Sequence, residues 1–174
     1  MAGGGQIHEN KDGITLIRPA DHGDFDAVNE LFREGDQMYF ERHPEFFEPV
    51  MEPPRDHDWL NSVLASDEER LLLAELDGKL VGLVHGILIS VERRGLRRRK
   101  RGHIDTIIVT EHHRNRGIGT QLMDSIEDWF SQNGVTQADL GVWVFNSDAM
   151  RLYKRLGYEP FHIQMRKYPF LPNS

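Results

Sequence analysis

The sequence predicts a mixed α/β fold with a mostly antiparallel central sheet, and three observations carry that prediction. Runs of alternating, β-branched character recur along the chain, at residues 14–18, 70–76 and 103–109, and alternation of period two is the pattern of a half-buried strand. Between such runs, apolar residues repeat every three or four positions, as in Ile118, Leu122, Ile126, Trp129 and Phe130, the stripe of a helix packed on one side. Asp77-Gly78 joins two strand-like runs directly, a two-residue hairpin signal of type I′ that makes the flanking strands antiparallel neighbours. Strands and helices mixed in this way pack as helices on a sheet.

The elements follow in order. Residues 14–18 form a first strand ending at Pro19, and Asp21 or Asp24 caps a helix to about Glu34, with Phe25, Val28, Leu31 and Phe32 inward. Residues 35–54, GDQMYFERHPEFFEPVMEPP, are too apolar for a linker and too broken for one helix. They read as a turn-rich segment folded over something, with Tyr39, Phe40, Phe46 and Phe47 weighing more toward core than toward a substrate box. Asp56 or Asp58 opens a second helix to Ala65. The hairpin strands are 70–76 and 79–91, and Gly82 and Gly86 in the second suggest a bulge or close packing. The basic run 93–101, RRGLRRRKR, reads as a solvated hairpin tip without interleaved aromatics for base stacking. Then come a strand at 103–109, a helix ended by Gly134, a strand at 137–145, a short helix from Asn146-Ser147-Asp148 to Leu156 with Gly157 after it, and a last strand at 158–167. The predicted order is β-α-α-β-β-β-α-β-α-β. Residues 1–12 read as a flexible tail without the apolar core of a secretory signal, leaving 13–174 as a single domain.

Composition narrows the function. The chain has 174 residues, a net charge of −7 and no cysteine. Disulfides, thiolate zinc sites and a cysteine nucleophile are therefore excluded, and a cytoplasmic setting fits. The negative charge argues against general nucleic-acid binding. No apolar run approaches the roughly 18 residues of a membrane-spanning helix, so no membrane partner is expected. His112 and His113 are adjacent and no His-Glu-x-x-His pattern occurs, so no metal is expected. Oligomeric state is not set by the sequence; a homodimer is compatible with it.

The chemistry concentrates at 103–122, HIDTIIVTEHHRNRGIGTQL. A strand leads through a polar loop to Arg114-Asn115-Arg116-Gly117-Ile118-Gly119, which opens a helix. A helix N-terminus carries unpartnered N–H groups and the positive end of the dipole, so it binds anions, phosphate above all. Glycines let the backbone approach the ligand, and arginines add charge-assisted hydrogen bonds. A dinucleotide fingerprint needs a glycine where Leu122 stands, and the Gly-Lys-Ser/Thr of a Walker loop is absent. What remains, Arg-x-x-Gly-x-Gly between strand and helix, resembles the pyrophosphate loop of the GNAT superfamily of acetyl-CoA-dependent N-acyltransferases. Downstream, Asn146-x-x-Ala149-x-x-x-Tyr153-x-x-x-Gly157-Tyr158 resembles that family's second signature, in the family's order.

The resemblance implies a GNAT-like fold and an N-acetyltransferase that moves an acetyl group from acetyl-CoA to a primary amine by direct attack in a ternary complex. Net acidity and the aromatic segment favour a small cationic amine as acceptor, since negative potential would steer it. A catalytically idle acyl-CoA-binding module and a protein or peptide N-acetyltransferase are the alternatives. By resemblance, Ile107, Ile108 and Val109 offer backbone groups to the pantetheine arm, and the N–H groups of Asn115, Arg116, Gly117, Ile118, Gly119 and Thr120 hold the pyrophosphate. Arg114 takes the family's Gln/Arg position. Two central strands splay after Val109 and Phe145, Asn146 bonds the pantetheine amide there, and Tyr153 points at the sulfur. Tyr153 is then the general acid, and a backbone N–H, that of Val109, stabilises the oxyanion. For the base, Asp105 is favoured and His103 second; two apart on one strand, they share a face. Asp105 as an ion-pair partner for an arginine of the basic run, and Tyr153 as a core aromatic, are the structural readings of the same residues.

Overall fold

The computed structural model describes residues 5–10, 13–91 and 99–166, which fall into two compact units, one ending at Gly141 and one beginning at Val142. The first unit holds strands β1 (Gln6–Asn10), β2 (Gly13–Pro19), β3 (Glu69–Leu76), β4 (Lys79–Val91), β5 (Arg99–Val109) and β6 (Ala138–Leu140). They lie side by side in chain order, antiparallel except for the parallel pair β5–β6. Helices α1 (Phe25–Arg42), α2 (His57–Ala65) and α3 (Ile118–Gln132) cover this sheet. The second unit contains α4 (Ser147–Arg155). The chain is thus a mixed α/β protein with a six-stranded, mostly antiparallel sheet. No helix among the described residues is long and apolar enough to cross a membrane.

The caps and turns follow from local chemistry. Asp77 and Gly78 both have positive φ, 52° and 75°, the pair of left-handed conformations a type I′ turn requires. Asp21 and Asp24 close a reciprocal capping box on the turn before α1. Asp56 Oδ1 accepts from the Trp59 N–H at 2.8 Å to start α2. One sheet face is covered by Val28, Leu31 and Phe32 of α1 and Leu60 and Val63 of α2, packed on Leu71, Leu73 and Leu83. The other lies beneath α3, where Gly82, Gly86 and Gly102 allow close approach. A Cβ on Gly86 would fall 2.6 Å from Ile126, and one on Gly102 would fall 2.5 Å from the Phe130 ring.

Gly86 also adjoins a bulge. Thr106 pairs with His85 and Ile104 with Gly86, so Asp105 is the extra residue of β5 with nothing opposite it. The pairing of β5 with β6 runs only from Gly102↔Ala138 to Ile104↔Leu140. The β5–β6 ladder therefore ends at the bulge.

Four expectations are corrected. Residues 6–10, expected in a flexible tail, form β1 on the edge of β2, where Ser125 Oγ of α3 donates to Gln6 Oε1 at 2.7 Å; a polar strand without its own apolar stripe is fixed by such pairing, which local sequence does not display. The first helix continues past Glu34 through Gly35 to Arg42. Gly35 does not end it; its missing side chain accommodates Ile108, whose Cδ1 lies 3.0 Å from where a Cβ would stand. The strand expected at 137–145 shrinks to Ala138–Leu140, with the segment beyond Gly141 outside any ladder. The last strand is not formed over 158–166, where no ladder partner pairs the backbone; its final residue, Lys167, and residues 93–98 of the basic run lie outside the described residues. The observed order is β-β-α-α-β-β-β-α-β-α.

Because Gly102 sits against the flat of the Phe130 ring, Gly102→Ala should destabilise the fold by about 1–3 kcal/mol through overpacking. Urea unfolding should show a lower midpoint with an unchanged slope. A midpoint equal to that of the wild type would contradict this packing.

Candidate functional site

The site grows from the part of β5 beyond its ladder with β6. The Thr110 N–H donates to Val81 O at 3.0 Å, which fixes the phase of the antiparallel β4–β5 ladder. Ile108 and Thr106 then face their partners Leu83 and His85 in hydrogen-bonded pairs, whereas Ile107 and Val109 turn their N–H and C=O away from β4. That side lies beyond Ile104↔Leu140, where β6 stops pairing. The N–H groups of Ile107 and Val109 thus point away from β4, past the end of the β6 ladder, the orientation an added strand or an amide-bearing arm would need.

The loop after this edge is braced from below. Arg114 Nε donates to Val109 O at 2.9 Å, and its Nη2 lies 3.6 Å from Glu34 of α1. Glu34 also accepts from the Glu111 N–H at 2.6 Å. Arg114 therefore ties the end of β5 to the loop. Asn115 and Gly117 have positive φ, 61° and 85°, and Gly117 is the N-cap of α3 with no side-chain cap hydrogen bond. The first helical bond runs from the Gln121 N–H to Gly117 O, so the N–H groups of Ile118, Gly119 and Thr120 have no intrahelical acceptor. These residues form an uncapped, positively polarised terminus at the start of a 15-residue helix.

Two histidine–carboxylate groups lie beside the bulge. In one, His103 Nδ1 is 2.7 Å from Asp139 Oδ1, and Arg101 pairs with the other oxygen of Asp139. Arg101 of the basic run thus takes Asp139 as its partner; residues 93–98 of that run lie outside the described residues. The His103 imidazole is held below its usual range, first by burial and then by the Arg101 guanidinium, with His85 adding to them and Asp105 opposing. In the other group, His85 Nε2 is 2.9 Å from Glu69 Oε2, and its Nδ1 lies 3.5 Å from Asp105 Oδ2. Asp105 also accepts from Thr106 Oγ1 at 3.0 Å. Its carboxyl is held below the usual carboxylate range, first by His85 and also by Thr106, against partial burial. Asp105 and His103 thus both adjoin His85 electrostatically. Among the described residues no cluster of three or more His, Asp or Glu side chains is arranged to hold a metal ion.

Sequence reasoning missed His85, Glu69, Glu34 and Asp139. Only His85 left a signal, a lone imidazole in the apolar run LVGLVHGILI. In the second unit, Asn146 caps α4, its Oδ1 accepting from the Ala149 N–H at 3.2 Å. Tyr153 is buried on α4, with its ring centroid 6.0 Å from that of Tyr158. In the first unit, α1 and the segment after it enclose an open cavity lined by Asp36, Tyr39, Phe47, Glu48 and Arg55, with the rings of Tyr39 and Phe47 5.0 Å apart.

Comparison with known proteins is consistent with this architecture. The family model described as Acetyltransferase (GNAT) family matches residues 35–158. An L-amino acid N-acetyltransferase of Escherichia coli is 26% identical over 152 residues, covering 83% of this chain and 82% of that protein. An uncharacterized N-acetyltransferase of Methanocaldococcus jannaschii is 28% identical over 127 residues, 71% of this chain; the match spans about half, 54%, of that relative's length. Among solved structures, a mutant of the BH1408 protein from Bacillus halodurans superposes with a TM-score of 0.82 at 22% identity, covering 89% of this chain and 99% of that one. The aminoglycoside N-acetyltransferase AAC(6')-Iy in complex with CoA gives a TM-score of 0.66 at 17% identity, covering 97% and 99%. Both structures share the fold.

The electrostatics around His103 can be read directly. Asp105 raises its affinity for a proton and Arg101 lowers it. In an NMR titration, His103 should titrate below the usual value of about 6.5, lower still in Asp105→Asn and higher in Arg101→Gln. A shift of opposite sign in either variant would contradict the arrangement.

Proposed function

Because the chain belongs to the acetyltransferase (GNAT) family, we propose that it moves an acetyl group from acetyl-CoA to a primary amine, by direct attack in a ternary complex. The observation that carries this reading is the continuity from the end of β5, beyond its ladder with β6, to the uncapped terminus of α3. That continuity places outward-facing amides and an anion-binding helix end in one stretch, as a pantetheine arm ending in a pyrophosphate requires. The N–H groups of Ile107 and Val109 pair with the arm, with Ile108 between them packed toward α1. Asn115, Arg116 and Gly117 shape the turn, and the N–H groups of Ile118, Gly119 and Thr120 receive the pyrophosphate. Arg114 holds the loop in that shape through Val109 O.

The proposed chemistry divides among few groups. The amine must lose a proton to become a nucleophile, and Asp105, half-exposed at the bulge, is the base. His103 is the second candidate, although its contact with Asp139 makes it better suited to ordering a water. The Val109 N–H meets the negative charge developing on the thioester carbonyl oxygen. Asn146 and Tyr153 are assigned from the second signature, Asn146 to the pantetheine amide and Tyr153 to protonating the leaving thiolate. A small cationic acceptor is favoured by the net charge of −7 and by the cavity that brings Glu48 beside Tyr39 and Phe47, where Asp36 is already paired with Arg55, since carboxylates and aromatic faces both attract ammonium groups. No metal is assigned a role.

Calorimetry and turnover test the proposal. Acetyl-CoA should bind the wild type and raise its melting temperature. Gly119→Asp, which puts a carboxylate at the pyrophosphate site, should abolish binding with the fold intact; unchanged affinity would sink the site. Tyr153→Phe should lower kcat by about one to three orders of magnitude at unchanged cofactor affinity. Asp105→Asn should lose rate at neutral pH and recover as pH rises and the amine arrives already neutral. Binding without turnover of any amine would favour the idle acyl-CoA-binding module.

A further inference from the structure

His85 is the most anomalous side chain of the first unit. It sits in the middle of β4, 3% exposed, among Val81, Leu83, Val84 and Leu88, all buried. On one side the Trp59 indole of α2 meets the ring edge-on, with centroids 5.8 Å apart. Burying a polar ring is unfavourable unless its nitrogens are bonded, and only one of them is. Nε2 meets Glu69 of β3 at 2.9 Å. Nδ1 is buried without a hydrogen-bond partner; the nearest acceptor recorded for it is Asp105 Oδ2 at 3.5 Å, beyond good hydrogen-bonding distance. An imidazole selected for packing alone would not leave a buried nitrogen aimed at the one bulged residue of the neighbouring strand.

The three groups come from three adjacent strands, Glu69 from β3, His85 from β4 and Asp105 from β5. Glu69, partly exposed, can only accept from Nε2, so in the neutral ring the proton belongs on Nε2 with the lone pair on Nδ1, and in the charged ring Nδ1–H faces Asp105 and holds its carboxyl low. The Nδ1 lone pair of the neutral ring looks at Asp105, whose side chain is half-exposed at the bulge of β5. We propose that Glu69, His85 and Asp105 act as one proton-accepting unit, in which Glu69 fixes the ring so that a proton taken by Asp105 from the acceptor amine is held on His85 Nδ1. The proposal rests on the N-acetyltransferase reading and adds two positioning residues to it.

The step balances as simple proton transfer. The N–H bond of the ammonium breaks as an O–H bond forms on Asp105; that O–H bond breaks as Nδ1–H forms. The resulting imidazolium lies between two carboxylates, and the proton leaves later by the same path through Asp105 to solvent. The other charged groups near the ring are His103, on the same strand as Asp105, and Arg55, whose guanidinium stands 6.0 Å from the Trp59 ring, behind the indole. An isolated carboxylate is a weak base for an ammonium, whereas an imidazole accepts protons near neutrality.

Glu69→Gln and His85→Gln test the unit, with Asp105→Asn as reference and one amine acceptor. Both variants should lower kcat about 10- to 100-fold at neutral pH, leave the KM for acetyl-CoA unchanged, and recover as pH approaches the pKa of the amine. Glu69→Gln sits at the exposed end and keeps the test valid if His85→Gln does not fold. Wild-type turnover in Glu69→Gln at every pH, with Asp105→Asn impaired, would overturn the proposal. An independent readout needs no activity: ¹⁵N shifts of labelled histidine should show neutral His85 with its proton on Nε2, and a proton on Nδ1 instead would overturn the unit. If no amine is turned over but the Nε2–H form is found, the acetyltransferase reading fails and the fixed ring stands.

Discussion

One extra residue in one strand organises the molecule. Where Asp105 has no opposite number on β4, the ladder with β4 shifts by one position, and the ladder with β6 ends one residue earlier, at Ile104. A sheet normally pairs every interior backbone group. Here the outward amides of Ile107 and Val109 are released from that requirement on the stretch that runs into the helix terminus. The bulge also puts a carboxylate at the strand's point of departure, beside a buried imidazole. Binding edge and proton-accepting group therefore have the same structural cause.

The rest of the first unit supports that departure. Gly82, Gly86 and Gly102 let α3 lie directly on β4 and β5, so the helix that carries the anion-binding terminus is anchored to the strand that ends at it. On the opposite face Gly35 lets α1 approach Ile108, and Glu34, the preceding residue, reaches the Glu111 N–H and Arg114. The loop is thus held from α1 and from Val109 O, while the N-terminus of α3 has no side-chain cap. Two arginines of this region are engaged within the protein: Arg101 with the Asp139 carboxylate and Arg114 with Val109 O.

Much of this was legible in the sequence where the signal is local. The Asp77-Gly78 turn, the Asp56 cap and the glycine-rich start of α3 are each set by residues within a few positions of one another, and the two signatures identify the family. What was not legible depends on partners distant in the chain. Gly35 looks like a helix stop until Ile108 is placed beside it. Residues 6–10 become a strand only because β2 offers an edge. His85 escaped the sequence reading because Glu69 and Asp105 come from the strands on either side. The alternation at 137–145 and 158–167 overstated the strands, since alternation marks a capacity to pair and pairing needs a partner.

The central claim is that the end of β5 and the terminus of α3 form one cradle for an acyl-CoA. Backbone amide hydrogen exchange with and without saturating CoA tests it most directly. The account predicts slowed exchange at Ile107 and Val109 together with Ile118, Gly119 and Thr120, while Ile108, already paired with Leu83, changes little. Unchanged exchange at those five amides with CoA bound would contradict it.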